Sequence, residues 1–146
     1  MTKMFATLLI GSAALAGGIA SAQSPADSGR RIQASLTGTA EVPGPGDPDG
    51  TGTAEITVNP GQKRICYTLQ ASNIGPATMA HIHVGQAGAA GRAAVALGPP
   101  VGGTSTGCAD VARSLALAIL KNPTAYYVNV HNDEFPSGAI RGQLGN

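Results

Sequence analysis

The sequence predicts an all-β domain, most simply a Greek-key sandwich of about seven or eight strands with one short helix. Three observations point there. Short segments rich in Val, Ile and Thr alternate apolar and polar residues with the period of two that a half-buried strand requires. Between them, at intervals of roughly ten residues, stand the clusters that hold most of the 21 glycines and 10 prolines, which is the punctuation of a sandwich or barrel of short strands. The glycines show no three-residue period, which excludes a collagen-like chain.

The amino terminus reads as a removable export signal. Lys3 is the only charge before an apolar stretch from Met4 to Ala20, and Ala20-Ser21-Ala22 supplies a small-x-small cleavage pattern, so residues 1–22 are expected to be cleaved. The stretch is short and rich in Ala and Gly, whereas a spanning helix needs about 20 strongly apolar residues. Residues 23–31 read as a flexible mature terminus, leaving 32–146 as one β-domain. Loss of Lys3 takes the formal charge from +1 to zero, a balance that recruits neither nucleic acid nor an anionic membrane. The expected location is periplasmic or secreted. Two cysteines in such a chain, Cys66 and Cys108, read as one disulfide.

Along the chain, Ile32, Ala34 and Leu36 mark the inward face of a first strand. The run from Val42 to Gly50 cannot hold a ladder, because Pro lacks the donor and Gly and Asp favour turns. Asp47-Pro48-Asp49-Gly50 is accordingly a turn rather than a calcium loop. A second strand spans Thr51 to Asn59, and Asn59-Pro60-Gly61 turns it into a third carrying Ile65, Tyr67 and Leu69 inward. Cys66 then falls on the outer face, so the bridge is expected to tie down an element lying over that side. Thr78 to Val84 follows, with Ala80, Ile82 and Val84 inward and Met79, His81 and His83 outward.

Ala93, Val95 and Leu97 give another short strand, and residues 98–107 read as a long loop. Val111, Leu115 and Ile119 recur at helical spacing, predicting a helix over 110–120 with Asp110 as its cap and Asn122-Pro123 as its stop. A last hairpin joins 126–131 to 139–144. Tyr127, Asn129 and His131 share one face of its first strand, and Arg141 and Gln143 the polar face of its second.

The chemistry concentrates in three histidines. His81 and His83, two apart in a strand, present their rings on one face with Cα atoms about 6.6 Å apart. If His131 lies on a neighbouring strand with its ring turned the same way, a three-nitrogen site suited to Cu or Zn forms, with a fourth position open. The face assignment agrees, since Val128 and Val130 take the side opposite His131. Met79 is a candidate soft ligand for copper, and Asp133 or Glu134 a candidate oxygen ligand or partner to a ring's second nitrogen. The competing reading is a polar histidine cluster hydrogen-bonded to carbonyls and carboxylates, in a purely structural or adhesive domain. Arg141, beside the turn after His131, reads as an ion-pair partner of Glu41 or Asp133, or as a guide for an anion. No Gly-x-Ser-x-Gly elbow, phosphate loop or dinucleotide fingerprint is present, so no catalytic residues are assigned.

Four segments in order, Leu36-Thr-Gly-Thr-Ala-Glu41-Val-Pro, Ala80-His-Ile-His-Val-Gly85, Tyr127-Val-Asn-Val-His131 and Phe135-Pro-Ser-Gly-Ala-Ile-Arg141-Gly-Gln-Leu144, resemble the CHRD domain. That domain is named from chordin and also occurs singly in exported bacterial proteins. The resemblance runs from Ile32 to Leu144 and implies an extracellular, immunoglobulin-like or Greek-key β-domain with no settled activity. Chordin's cysteine-rich modules are missing from this sequence, so growth-factor antagonism does not carry over. A second likeness, to copper-zinc superoxide dismutase, would make His81, His83 and His131 copper ligands and Arg141 an anion guide. This chain owns too few histidines for that family's two-metal site. The leading expectation is a non-enzymatic binding or envelope domain, with a superoxide dismutase-like copper oxidoreductase as the rival.

Overall fold

The computed structural model describes residues 29–145, so the expected signal peptide and most of the 23–31 segment lie outside the described residues. Eight strands and one helix follow in order: β1 (Arg30–Thr37), β2 (Thr51–Asn59), β3 (Arg64–Ser72), β4 (Ala77–Val84), β5 (Ala93–Leu97), β6 (Thr104–Asp110), α1 (Arg113–Lys121), β7 (Tyr126–Asn132) and β8 (Ile140–Gln143). The all-β expectation and the strand number hold. The arrangement differs from a sandwich of two separate sheets. All eight strands join one antiparallel sheet in the order β5-β4-β7-β8-β1-β2-β3-β6, which curls until its edges β5 and β6 approach each other in a nearly closed barrel.

The alternation in the sequence sets what faces inward. Ile32, Ala34 and Leu36 of β1, Ala54, Ile56 and Val58 of β2, Ala80 and Ile82 of β4, and Val128 and Val130 of β7 are all buried in a single apolar cluster. Burying each large aliphatic side chain stabilises the fold by about 1.5–3 kcal/mol. The β2–β3 hairpin forms as expected, with the Asn59 side chain accepting a hydrogen bond from the Gln62 amide at 3.0 Å.

Three expectations are corrected. Residues 104–110 are a strand, not loop. Its inward positions, Ser105, Gly107 and Ala109, are small, and at Gly107 any side chain would strike Tyr67 of β3, whose hydroxyl accepts a 2.7 Å hydrogen bond from the Gly98 amide just after β5. One phenol thus spans the seam where the barrel closes. Helix α1 starts at Arg113 with Ala112 at its N-cap and no side-chain cap, because Asp110 is the last residue of β6 and bonds to Arg64 at 2.9 Å. Its Ala116 and Ile119 are buried in the same apolar cluster as the strands. Lastly, Cys66 and Cys108 do form a disulfide, but they are directly opposed residues of adjacent strands, so the bridge staples β3 to β6 within the sheet rather than holding down an overlying element.

Candidate metal centre

Strand β7 is buried along its whole length on both faces. Its outer side chains, Tyr127, Asn129 and His131, lie in rows with those of its neighbours. The register aligns His83, Tyr127 and Gln143 in one row across β4, β7 and β8, His81, Asn129 and Arg141 in the next, and sets Met79 beside His131. Three connecting segments cover this face. The strap of residues 85–92 is tied by the Gly85 amide to the Ala125 carbonyl at 2.7 Å, the 38–50 segment by the Asp47 amide to the Ala139 carbonyl at 2.9 Å, and residue 136 reaches back to His131. Within the 38–50 segment, the Asp47 side chain accepts from the Asp49 and Gly50 amides, the turn expected there.

The three histidines converge. One ring nitrogen of each lies within 4.8 Å of those of the other two. Nδ1 of His81 stands 3.3 Å from Nε2 of His131. Two nitrogens bound to one tetrahedral ion at about 2.0–2.1 Å would stand about 3.3–3.4 Å apart, so this pair already has the spacing that an ion imposes.

Backbone carbonyls fix two of the tautomers. A carbonyl can only accept, so the 2.9 Å contact from His83 Nδ1 to the Gly91 oxygen and the 3.1 Å contact from His131 Nδ1 to the Pro136 oxygen both place the proton on Nδ1. Each leaves an Nε2 lone pair free, which is how metal-binding imidazoles are commonly oriented. The His131 lone pair accepts from His81, whereas His83 Nε2 is buried with no protein partner. Burial, reinforced by the neighbouring His83, holds His81 below its ordinary 6.5. Burial likewise lowers His131, against the opposing pull of the Pro136 carbonyl. Both rings are therefore neutral at neutral pH, the state in which imidazole can be a ligand.

The other predicted residues fall around this centre. Met79 is directly across from His131 and 46 % exposed, at the rim. Asp133 and Glu134 are exposed on the loop after β7 and are not part of the converging group. Arg141 forms no ion pair with Glu41 or Asp133. It is 2 % exposed, its Nη2 donates to the Gln86 and Ala89 carbonyls at 2.9 Å each, and its guanidinium carbon lies 3.4 Å from the centre of the Tyr127 ring. The strap supplies those acceptors, so no carboxylate is needed to satisfy Nη2.

Tyr127 itself went unassigned in the sequence, although it shares the face of His131. Its ring stacks on His83 at 4.9 Å, and its hydroxyl accepts from the Gly91 amide at 3.1 Å. The strap that orients His83 is thereby pinned by Arg141 and Tyr127 together. Gly91 must be glycine, because a Cβ there would collide with the Val84 carbonyl oxygen.

Glu41 is the second feature that sequence reasoning underweighted. It is 6 % exposed, and burial pushes its carboxyl up to about 7, against the lowering effects of Arg141, the Val42 amide and Asn129. The folded state therefore holds this proton more tightly than the unfolded chain. The stability Glu41 contributes is full below its ordinary 4.5 and is lost as pH rises through about 7. His81 and His131, shifted the opposite way, lose stability as pH falls instead. Comparing wild type with Glu41→Gln isolates the carboxyl: the melting temperature of the variant should gain on that of wild type between about pH 5 and pH 8. Parallel curves would mean that Glu41 titrates normally.

A family model described as the CHRD domain matches residues 32–144, nearly all of the described chain. No curated protein and no solved structure matches.

Proposed function

The chain belongs to the CHRD domain family, and from that premise and the histidine geometry we propose that it is an exported, non-enzymatic domain that holds one Cu or Zn ion through His81, His83 and His131. The observation that carries the reading is His83 Nε2, a buried lone pair without a partner, aimed from a ring whose other nitrogen is already tied to a carbonyl. Leaving such an atom unsatisfied is costly, and an ion between the three rings would satisfy it while replacing the proton that His81 shares with His131. Met79, across from His131 at the rim, is the candidate for a soft fourth ligand to copper. Export, to the periplasm or beyond the cell, is supported by the disulfide, which forms and persists in oxidising compartments. Among the described residues no helix is long and apolar enough to cross a membrane.

The rival is a copper oxidoreductase acting on superoxide. It draws support from Arg141 sharing a row with His81, and it is weakened by the burial of that guanidinium beneath the strap. Metal analysis of the purified protein, followed by titration with Zn(II) and Cu(II) at neutral pH, is expected to give one ion per chain and none in His81→Ala. Absence of uptake by the folded protein would leave a structural or adhesive domain. A copper-loaded protein that consumes superoxide faster than aqueous copper would favour the oxidoreductase.

A further inference from the structure

The two sulfurs of the disulfide meet solvent unequally. Cys108 is exposed on the outer face of β6, whereas its directly opposed partner Cys66 is half-buried on β3. Strand β6 is also lightly held. It stands at the edge of the sheet, pairs with β3 alone among the described strands, and has no buried side chain. Its other side-chain link to β3 is the Arg64–Asp110 pair at 2.9 Å, whose partners are 45 % and 79 % exposed, and such a pair holds little. The chain is anchored on either side of it, before β6 by the Gly98 amide on the Tyr67 hydroxyl and after it by Ala116 and Ile119 of α1 in the core. Residues 104–110 can therefore leave β3 as a loop fixed at both ends.

The charges beside the sulfurs are ordered. Arg64 stands two residues before Cys66 on the same face of β3, and Asp110 two residues after Cys108 on the same face of β6, so their ion pair has its positive end on the Cys66 strand. Cys66 also lines a hollow of about 130 Å³ together with Arg31, which is paired with Glu55 at 3.2 Å. A cationic neighbour stabilises a thiolate and an anionic one destabilises it, and the more stable thiolate is the better leaving group. Access thus directs a nucleophile to Cys108, and charge directs the departing electron pair to Cys66.

We propose that the Cys66–Cys108 bridge is a thiol-exchange site for an exported dithiol, attacked at Cys108, and that its reduction frees β6 from the barrel. The incoming thiolate bonds to Cys108 Sγ as the S–S bond breaks, and the electron pair leaves on Cys66 Sγ, which takes up a proton. The second thiolate of the dithiol then attacks the mixed disulfide, releasing Cys108. The dithiol ends as a disulfide, and its two protons and two electrons end on the two cysteines. Release of β6 uncovers the edge of β3 and the Tyr67 ring against which Gly107 lies. No histidine takes part, so the site stands whether or not the three rings hold a metal.

The test uses the purified native protein at neutral pH, freed of metal by a chelator that is then dialysed away. Glutathione, a monothiol, followed by iodoacetamide and peptide mapping, should place the glutathione on Cys108 and the alkyl group on Cys66. Dithiothreitol, which completes the exchange, should cleave the native bridge at no less than about one tenth of the rate it shows on the denaturant-unfolded protein, since access governs the step. Hydrogen exchange then reads the conformation: reduction should speed the β6 amides at least about tenfold more than those of β7, as a local opening requires. A bridge cleaved only after denaturation, glutathione on Cys66, or equal acceleration of β6 and β7 overturns the proposal. Reduced protein that unfolds outright counts with the last of these, because it marks a barrel that opens as one unit, and the first two readouts need no stable reduced form.

Discussion

Replacing His131 by alanine is expected to lower affinity for Cu(II) or Zn(II) by about two to three orders of magnitude. A structural zinc site of four ligands is worth about 10–16 kcal/mol in apparent binding energy. One ligand's share is therefore about 2.5–4 kcal/mol, and each 1.4 kcal/mol is tenfold. His131 is the informative choice because it alone comes from β7, whereas His81 and His83 are fixed together by one strand. The variant should keep its far-ultraviolet circular dichroism, since the ring lies on the outer face and not among the apolar side chains that fill the barrel. Retention of wild-type affinity would show that the ion, if any, sits elsewhere.

Removing the disulfide should have the largest effect on stability. The bridge closes 42 residues, which in the chain-entropy account is worth about 4 kcal/mol. For a domain of this size that is a fall in melting temperature of about 15 °C. Cys66→Ser with Cys108→Ser, followed by differential scanning calorimetry, measures it. Strand β6 supplies no fully buried side chain to the core, so the bridge and the β3 ladder are what attach it. A shift of only a few degrees would mean that the ladder alone suffices.

These two sites also mark the limits of reading the sequence. The rows of alternating residues in β1, β2, β4 and β7 were legible, because one face is apolar and the other polar, and that pattern sent all three imidazoles to the same side. Strand β6 was not legible. Thr104–Asp110 carries Ser, Gly and Ala inward, the glycine against Tyr67, so the apolar beat that identifies a strand is missing. The helix start was misplaced for a related reason: Asp110 has the chemistry of a cap but is occupied by Arg64 across the sheet.

One sheet rather than two follows from the pairing of β8 with β1, which lie some hundred residues apart in the chain. Periodicity reports which way a side chain faces and nothing about which strand stands next to it. The partners of Arg141 were hidden similarly, because carbonyls of the strap leave no trace in residue type.

The enclosure of β7 has a kinetic consequence. With all seven of its residues shielded and hydrogen-bonded neighbours on either side, its amides should exchange with deuterated solvent only when the entire barrel opens. His131 therefore rides on the most rigid part of the molecule, and an incoming ion would meet rings whose ordering entropy was spent during folding.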